Sequence, residues 1–433
     1  MNSYYSNWSY NHFVTYNKSN NLNKPYICRL VPTTHGVIID ISDYIVGDTA
    51  WIKERCCGKW IGYKMRNNRC EIDGLKTNTE YFISVTDVNN QKSDVRLFRT
   101  GEIIGTPVNY LHPEDEIYSF SGSFLCSPSL VKLKSGVLLA SMDVHRCQSP
   151  QNLTLIFRSE DNGKSWRYTS ELMPCFWGKM FCVNDKLYML GVSTEYGDIL
   201  IGHSRNEGRT WETPTVIARG GGVCGVGWHR APCVVLQTNG KIYTSVEYGS
   251  MSKDGYGNMV LYADAKADLL KAESWCITDY YQYKKGEPII EGNVVEAPNG
   301  AILNILRYKE NESVVLKLDE AKNRCDYVNT IKLPVAHTKF EILRHTNGNY
   351  YALGNTYPGR NVLALYKSDN LNDWIFVKNI VDCSDADIKK VGFQYPVFFF
   401  EKDELLILSR TAYNDADNFH NSNYITFHKV SLG

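Results

Sequence analysis

The sequence predicts an all-β protein, a six-bladed β-propeller preceded by a small β-sandwich. Three observations carry this. One hairpin pattern recurs six times, the copies stand 48 to 60 residues apart, and none of them shows the 3.6-residue period of a helix. The pattern is clearest in EGNVVEAPNGAILNILR, Glu291 to Arg307. An apolar run enters a turn at Pro298-Asn299-Gly300, and a second apolar run leaves it. Asn-Gly suits the positive φ that such turns require. The other copies turn at Gly136, Asp185-Lys186, Gly240, Gly348 and Asp403-Glu404. Short strands repeating at about this period are the mark of a propeller with one blade per repeat.

The chain before the repeats divides in two. Residues 1–22 are polar and rich in Asn and Tyr, which predicts a loosely ordered lead-in. They have neither the basic start nor the apolar core of a secretory leader. Residues 23–101 read as short strands separated by turns (YICRLV, GVIIDIS, WIGYKM, EYFISVTDV, DVRLFRT), which predicts the sandwich. The propeller is expected over residues 102–433, with residues near 103–112 giving an outer strand to the last blade so that the ring closes.

Composition narrows the partners. The 47 Lys and Arg balance 47 Asp and Glu, so no overall charge draws the chain to nucleic acid or to a membrane surface. No run of 18 apolar residues occurs. Thirteen Cys, many inside apolar runs, read as buried thiols in a reducing, cytoplasmic setting rather than as a disulfide framework. Cys56-Cys57 has no second pair at zinc-ligand spacing, so neither a metal nor another cofactor is expected. With 29 Tyr and 12% aromatic residues, strands and sugar-stacking surfaces are both well supplied. The sequence sets no oligomeric state.

Superposing the six hairpins on their turns locates the site. Nine residues before the turn stand Ser127, Trp177, Ala231, Glu291, Lys339 and Tyr395, and seven after it stand Asp143, Ser193, Glu247, Arg307, Asn355 and Thr411. One or two residues of slack add Lys179, His229, Arg230, Glu195, His337 and Arg410. Equivalent strand ends in a propeller converge on one channel mouth, so these polar residues should share a site. Tyr is a poor nucleophile at its free pKa near 10, but a carboxylate beside it can take its proton, so a Tyr–Glu couple is chemically sensible.

Two family resemblances rest on particular residues. IDGLKTNTEYFISVTD, with Leu75, Thr79, Glu80 and Tyr81, resembles the fibronectin type III pattern, which implies Tyr81 as a corner tyrosine packing the sandwich. SEDNGKSW (159–166) and SRNEGRTW (204–211), with KSDNLNDW (367–374) as a degenerate copy, resemble the Asp-box (BNR) repeat of sialidase-like propellers. In that family a Glu precedes and an Arg follows the fourth-blade hairpin, and Glu291 and Arg307 match; Tyr395 in GFQYPVFFF matches the tyrosine nucleophile. Two positions depart from the family. Its first carboxylate-binding Arg falls at Cys126, in Cys126-Ser127-Pro128, and its acid Asp falls among Gln151-Asn152-Leu153.

The resemblance implies a retaining exo-glycosidase acting on an anionic, carboxylated sugar. Tyr395 is expected as nucleophile and Glu291 as its base; with the family's acid position lost, Asp143 is the first choice of acid, and Glu247, His229 or His337 could also supply it. Arg307, Arg410, Lys339, His337, His229, Arg230, Glu247, His145 and Trp177 are expected to contact substrate. The mouth should be anionic near blades one and three and cationic near blades four to six. Two other readings share the fold. One is a polysaccharide lyase on uronate-containing glycans, with His145, His229, Tyr395 and Arg307 serving β-elimination. The other is a propeller that binds glycans without turnover.

Overall fold

The computed structural model describes Trp8 and residues 24–222, 225–251 and 255–432. The expected lead-in lies outside the described residues apart from Trp8. That side chain is buried against Trp211, and its Nε1 donates to the Pro174 carbonyl at 2.7 Å.

Seven short strands form the sandwich: β1 (Ile27–Pro32), β2 (Val37–Ile41), β3 (Gly47–Glu54), β4 (Ile61–Lys64), β5 (Arg69–Ile72), β6 (Glu80–Asp87) and β7 (Arg96–Arg99). They make two antiparallel sheets, ordered β1-β2-β5 and β4-β3-β6-β7. Inward residues alternate along the strands, and Leu30, Val37, Ile39, Ala50, Ile52, Ile83, Val85 and Phe98 fill the space between the sheets. Tyr81 stacks on Phe98, and its hydroxyl accepts from the Lys76 backbone N–H at 3.0 Å, tying the corner that leads into β6. The sandwich is fixed to the propeller side by a buried Arg96–Asp115 ion pair at 2.5 Å and by Arg29 Nε donating to the Val108 carbonyl at 2.8 Å.

Six antiparallel blades follow, five of four strands and one of five, each laid out from the axis outwards. Blade one is β9 (Phe124–Lys132), β10 (Leu138–His145), β11 (Leu153–Ser159) and β12 (Arg167–Leu172). Blade two is β13 (Phe176–Val183), β14 (Lys186–Val192), β15 (Ile199–Ser204) and β16 (Thr215–Ala218). In blade three the inner edge is split into β17 (Gly227–His229) and β18 (Leu236–Thr238), beside β19 (Lys241–Ser250), β20 (Gly255–Asp264) and β21 (Trp275–Ile277). Blade four is β22 (Ile290–Glu296), β23 (Ile302–Lys309), β24 (Glu312–Asp319) and β25 (Arg324–Lys332). Blade five is β26 (Glu341–Arg344), β27 (Tyr350–Asn355), β28 (Val362–Ser368) and β29 (Ile375–Asp382). Blade six is β30 (Gly392–Glu401), β31 (Glu404–Ala412) and β32 (Tyr424–Ser431), and its outer strand is β8 (Thr106–Tyr110) from before blade one. This closure joins the two ends of the propeller within a single sheet.

The outer turns are closed by short polar side chains. Asp161 Oδ1 accepts from the Ser165 N–H at 2.9 Å, Gly163 N donates to Ser159 Oγ at 2.8 Å, and Trp166 lies buried beneath. Asn206, Gly208 and Trp211 repeat this arrangement in blade two. Gly163 and Gly208 take the positive φ, 86° and 79°, that these turns impose. Blade-to-blade packing supplies the core, as where Leu139, Ile156, Met180, Leu187, Met189 and Leu200 meet between blades one and two.

Candidate active site

In blades one, two, four and six the inner strand carries near its start a residue in the left-handed region: Ser127 (φ 49°), Trp177 (50°), Glu291 (58°) and Tyr395 (51°). None is glycine, and each such residue costs roughly 1–2 kcal/mol. Four together reach roughly 4–8 kcal/mol, comparable with the whole stability of an ordinary domain, so the ladders on either side must hold them. Strand pairing skips at the same places, as from Ile290 to Asn293 and from Gln394 to Val397. Such bulges turn a side chain out of the blade and towards the axis. All four residues line one cavity of about 280 Å³ at the channel mouth.

The blade-four and blade-six wall is cationic around one carboxylate. Glu291 is 1% exposed. Its Oε1 accepts from the Tyr395 hydroxyl at 2.6 Å, and its Oε2 from Arg307 Nη1 at 2.9 Å. Burial alone would raise the Glu291 carboxyl, but Arg307, then His229 and Tyr395, outweigh it and hold the group below the usual carboxylate range. Burial and then the neighbouring Glu291 push the Tyr395 phenol up to about 12, although Arg307, Arg360 and Arg410 pull it down. Proton removal from Tyr395 therefore depends on Glu291 at 2.6 Å.

Three guanidinium groups share this wall: Arg307, Arg360 and Arg410. Arg410 sits 5.3 Å from the Tyr395 ring centre and bonds the His420 carbonyl. Arg360 bonds Gln394 and lies 5.0 Å from the Phe419 ring centre. Burial lowers the Arg360 guanidinium to about 10, so it stays charged near neutrality. His145 and His420 add no charge there. Burial and Arg410 hold His145 down to about 3, and Arg410 and burial hold His420 at about 2.

The opposite wall is aromatic and hydrogen-bonded. Trp177 meets His229 edge to face at 4.4 Å between ring centres, and the Tyr196 and Tyr256 hydroxyls are bonded at 2.9 Å. His229 Nδ1 is 2.8 Å from Glu247 Oε2, which orients the imidazole. Glu195 also lines this wall, accepting from Gln151 Nε2 at 2.6 Å. Burial raises its carboxyl above the usual range, against smaller opposing effects of Gln151 and His229.

The floor is closed. Lys179 on blade two reaches Glu341 on blade five at 3.0 Å, an ion pair crossing the axis two residues deeper than Trp177. The second oxygen of Glu341 accepts from the Phe398 N–H at 2.6 Å. Among the described residues no group of three His, Cys, Asp or Glu is placed to hold a metal ion.

The structure brings together Tyr395, Glu291, Arg307, Arg410, His229, His145 and Trp177, which all line the cavity. Five other expected contacts lie elsewhere. Asp143 is fully buried beneath Trp177: Oδ1 accepts from Thr154 at 2.5 Å and Oδ2 from the Trp177 N–H at 2.7 Å. Burial raises its carboxyl to about 8, but the group holds the bulge and does not face the cavity. Lys339 donates to the Pro396 carbonyl at 2.6 Å and is wholly buried beneath the cavity, among Glu341, Cys233, Lys179 and Glu291 at the axis, so it lies deeper than the lining. Arg230 is buried against the Trp177 and Leu190 carbonyls. His337 lies outside the lining, 3.0 Å from the Gly359 carbonyl. Glu247 stands behind His229 instead of in the cavity.

Hairpin superposition missed Arg360, Tyr256, Gln151 and His420 as cavity residues. Arg360 comes from the loop between β27 and β28, outside any hairpin template. Its carbonyl accepts from the Phe393 N–H at 2.7 Å, anchoring it to blade six. The only sequence signal was a lone Arg closing the turn-forming run Tyr357-Pro358-Gly359.

Comparison with protein-family profiles and with curated protein sequences finds no match. Solved structures do resemble this one. A Penicillium chrysogenum alpha-L-arabinanase complexed with arabinobiose is 15% identical, with a TM-score of 0.53 over 76% of this chain and 98% of that one. A Hadza microbial sialidase is 11% identical, with a TM-score of 0.51 over 94% and 96%. A Trypanosoma rangeli sialidase in complex with a difluorinated nononic acid is 15% identical, with a TM-score of 0.51 over 75% and 57%. At these identities the likeness establishes the sialidase-like propeller fold.

Proposed function

We propose that this chain is a retaining exo-glycosidase that releases a terminal anionic sugar, with Tyr395 as nucleophile and Glu291 as its base. The observation that carries the reading is the Tyr395–Glu291 hydrogen bond of 2.6 Å inside a cationic, floored cavity. A phenol nucleophile suits an anionic substrate, whose reacting carbon a free carboxylate would approach against charge repulsion. Arg307, Arg360 and Arg410 supply donors for a carboxylate. The volume, about 280 Å³, is near the small end of ligand sites, and the ion pair beneath blocks passage of a polymer, which favours action at chain ends. The free state of twelve cysteines among the described residues supports work in a reducing compartment.

The test is a panel of 4-nitrophenyl glycosides, sialic acid, uronic acids and arabinofuranose among them, assayed with the wild type and Tyr395→Phe. The wild type should hydrolyse an acidic sugar in preference to a neutral one, and Tyr395→Phe should abolish it. Binding of a sugar without turnover of any member would favour the non-catalytic reading, which the aromatic wall of Trp177, Tyr196 and Tyr256 also suits.

A further inference from the structure

We propose that Glu195 is the general acid–base of this site and that Gln151 and His145 are its positioning residues; the inference rests on the glycosidase reading above. Of Gln151-Asn152-Leu153, where the sialidase resemblance expects an acid, only Gln151 reaches the cavity. An amide has no acidic proton to give, but it can hold a group that has one. Gln151 Nε2 donates to Glu195 Oε2 at 2.6 Å, and Gln151 Oε1 stands 3.0 Å from His145 Nδ1. With His145 neutral and donating from Nδ1, the amide is turned so that its NH2 faces Glu195. The acid thus stands on the next blade, and the residue at the expected place is its clamp.

The backbone under Glu195 is fixed. Ser193 N donates to the Asp198 carbonyl at 2.9 Å, Gly197 N to the Thr194 carbonyl at 2.8 Å, and Thr194 Oγ1 bonds the Pro150 carbonyl beside Gln151. Oε1 of Glu195 takes no hydrogen bond among the described residues, so it can meet a leaving oxygen. The groups facing Glu195 are His229 and Tyr256 from blade three, Tyr196 beside it, and Gln151 and the Cys126 thiol from blade one. None of these is a lysine or arginine, whereas Glu291 holds Arg307 directly. Two carboxyl groups of one cavity are thereby driven apart in proton affinity, which sorts them into acid and base.

In the first step the Tyr395 oxygen bonds the anomeric carbon as its proton passes to Glu291. The glycosidic C–O bond breaks, its electron pair goes to the leaving oxygen, and that oxygen takes the Glu195 proton. In the second step water attacks the same carbon and gives a proton to Glu195. The Tyr395 oxygen leaves and recovers its proton from Glu291, so both carboxyl groups end as they began.

The experiment compares wild type, Glu195→Gln and Gln151→Ala on the 4-nitrophenyl and methyl glycosides of the sugar that the panel identifies. In parallel, carbon NMR titrates Glu195, assigned by its absence from Glu195→Gln. Glu195→Gln should cut kcat/KM on the methyl glycoside by about 100- to 10,000-fold and leave the nitrophenyl glycoside within about tenfold, since an activated phenol departs without a proton. Glu195 should titrate above the ordinary carboxylate pKa of about 4.3 and higher still in Gln151→Ala. Equal loss on both glycosides, or titration at or below the ordinary value, overturns the assignment. If no glycoside is hydrolysed, the glycosidase reading falls, and the titration still decides whether Glu195 is held protonated.

Discussion

Glu195 and Glu291 share one cavity and are two blades apart, yet their surroundings treat them in opposite ways. Both are desolvated. Glu291 is compensated by Arg307 at 2.9 Å and by the Tyr395 hydroxyl at 2.6 Å, so its carboxyl is held low. Glu195 has a neutral amide as its partner, so burial wins and its carboxyl is raised. The difference lies in what stands beside each carboxyl, not in depth: Glu291 is the more deeply buried of the two. Among the described residues, guanidinium groups line the mouth on blades four to six and not on blades one to three. That placement separates a proton acceptor from a proton donor.

Removing the tyrosine should have the largest effect on this pair. Tyr395→Phe should lower turnover by about 10,000-fold or more, measured as kcat on the preferred aryl glycoside, because among the described residues no other hydroxyl or thiol bonds the Glu291 carboxyl. Arg307→Ala comes next. It frees the Glu291 carboxyl from its strongest stabiliser and removes an anion contact. A charged hydrogen bond in such a site is worth roughly 1.5–3 kcal/mol, so KM should rise by about 10- to 150-fold. The acidic limb of the pH profile should move upward in the same variant, since Glu291 then protonates more readily.

In the wild type, kcat/KM should follow a bell in pH. Its acidic limb, set by Glu291 gaining a proton, should lie below the ordinary carboxylate range, and its alkaline limb, set by Glu195 losing one, should lie above it. Gln151→Ala removes a donor that favours the charged form, so the alkaline limb should shift further up while the acidic limb stays. Asp143→Asn probes the same two carboxyls from outside the cavity. It should depress activated and unactivated substrates alike, because the carboxyl supports the Trp177 bulge and meets no leaving group. The smallest effect is expected for Ser127→Gly, which relieves one left-handed backbone and should raise stability by at most about 1 kcal/mol, read by chemical denaturation.

Much of this was legible in the sequence where one rule applied to every blade. Hairpin turns gave the blade count, and nine residues before the turn found Trp177, Glu291 and Tyr395, because a bulge interrupts those inner strands. The rule failed where the strand itself differed. Blade three is split near Ala231, and the inner strand of blade five begins only at Glu341, with Lys339 buried below the cavity. After the turn, the rule was right in direction and wrong in depth. Asp143 and His145 lie on one face of β10, one pleat repeat or about 6.6 Å apart along the strand, and only His145 reaches the cavity. Glu195 occupies that same higher level in blade two, nine residues past its turn. Arg307 reaches from the lower level because its side chain is long enough. Arg360 could not be found this way at all, since loop residues follow no strand register.

The proposed reaction turns on Tyr395 attacking while Glu291 takes its proton. Peptide mass mapping reads this step directly, after reaction with a fluorinated glycosyl fluoride of the sugar that the enzyme hydrolyses. Such a reagent forms the covalent intermediate quickly and releases it slowly. One glycosyl adduct per chain is expected, on the peptide containing Tyr395 and on its phenol oxygen, and absent from Tyr395→Phe. An adduct on Glu291, or hydrolysis with inversion and no adduct, would contradict it.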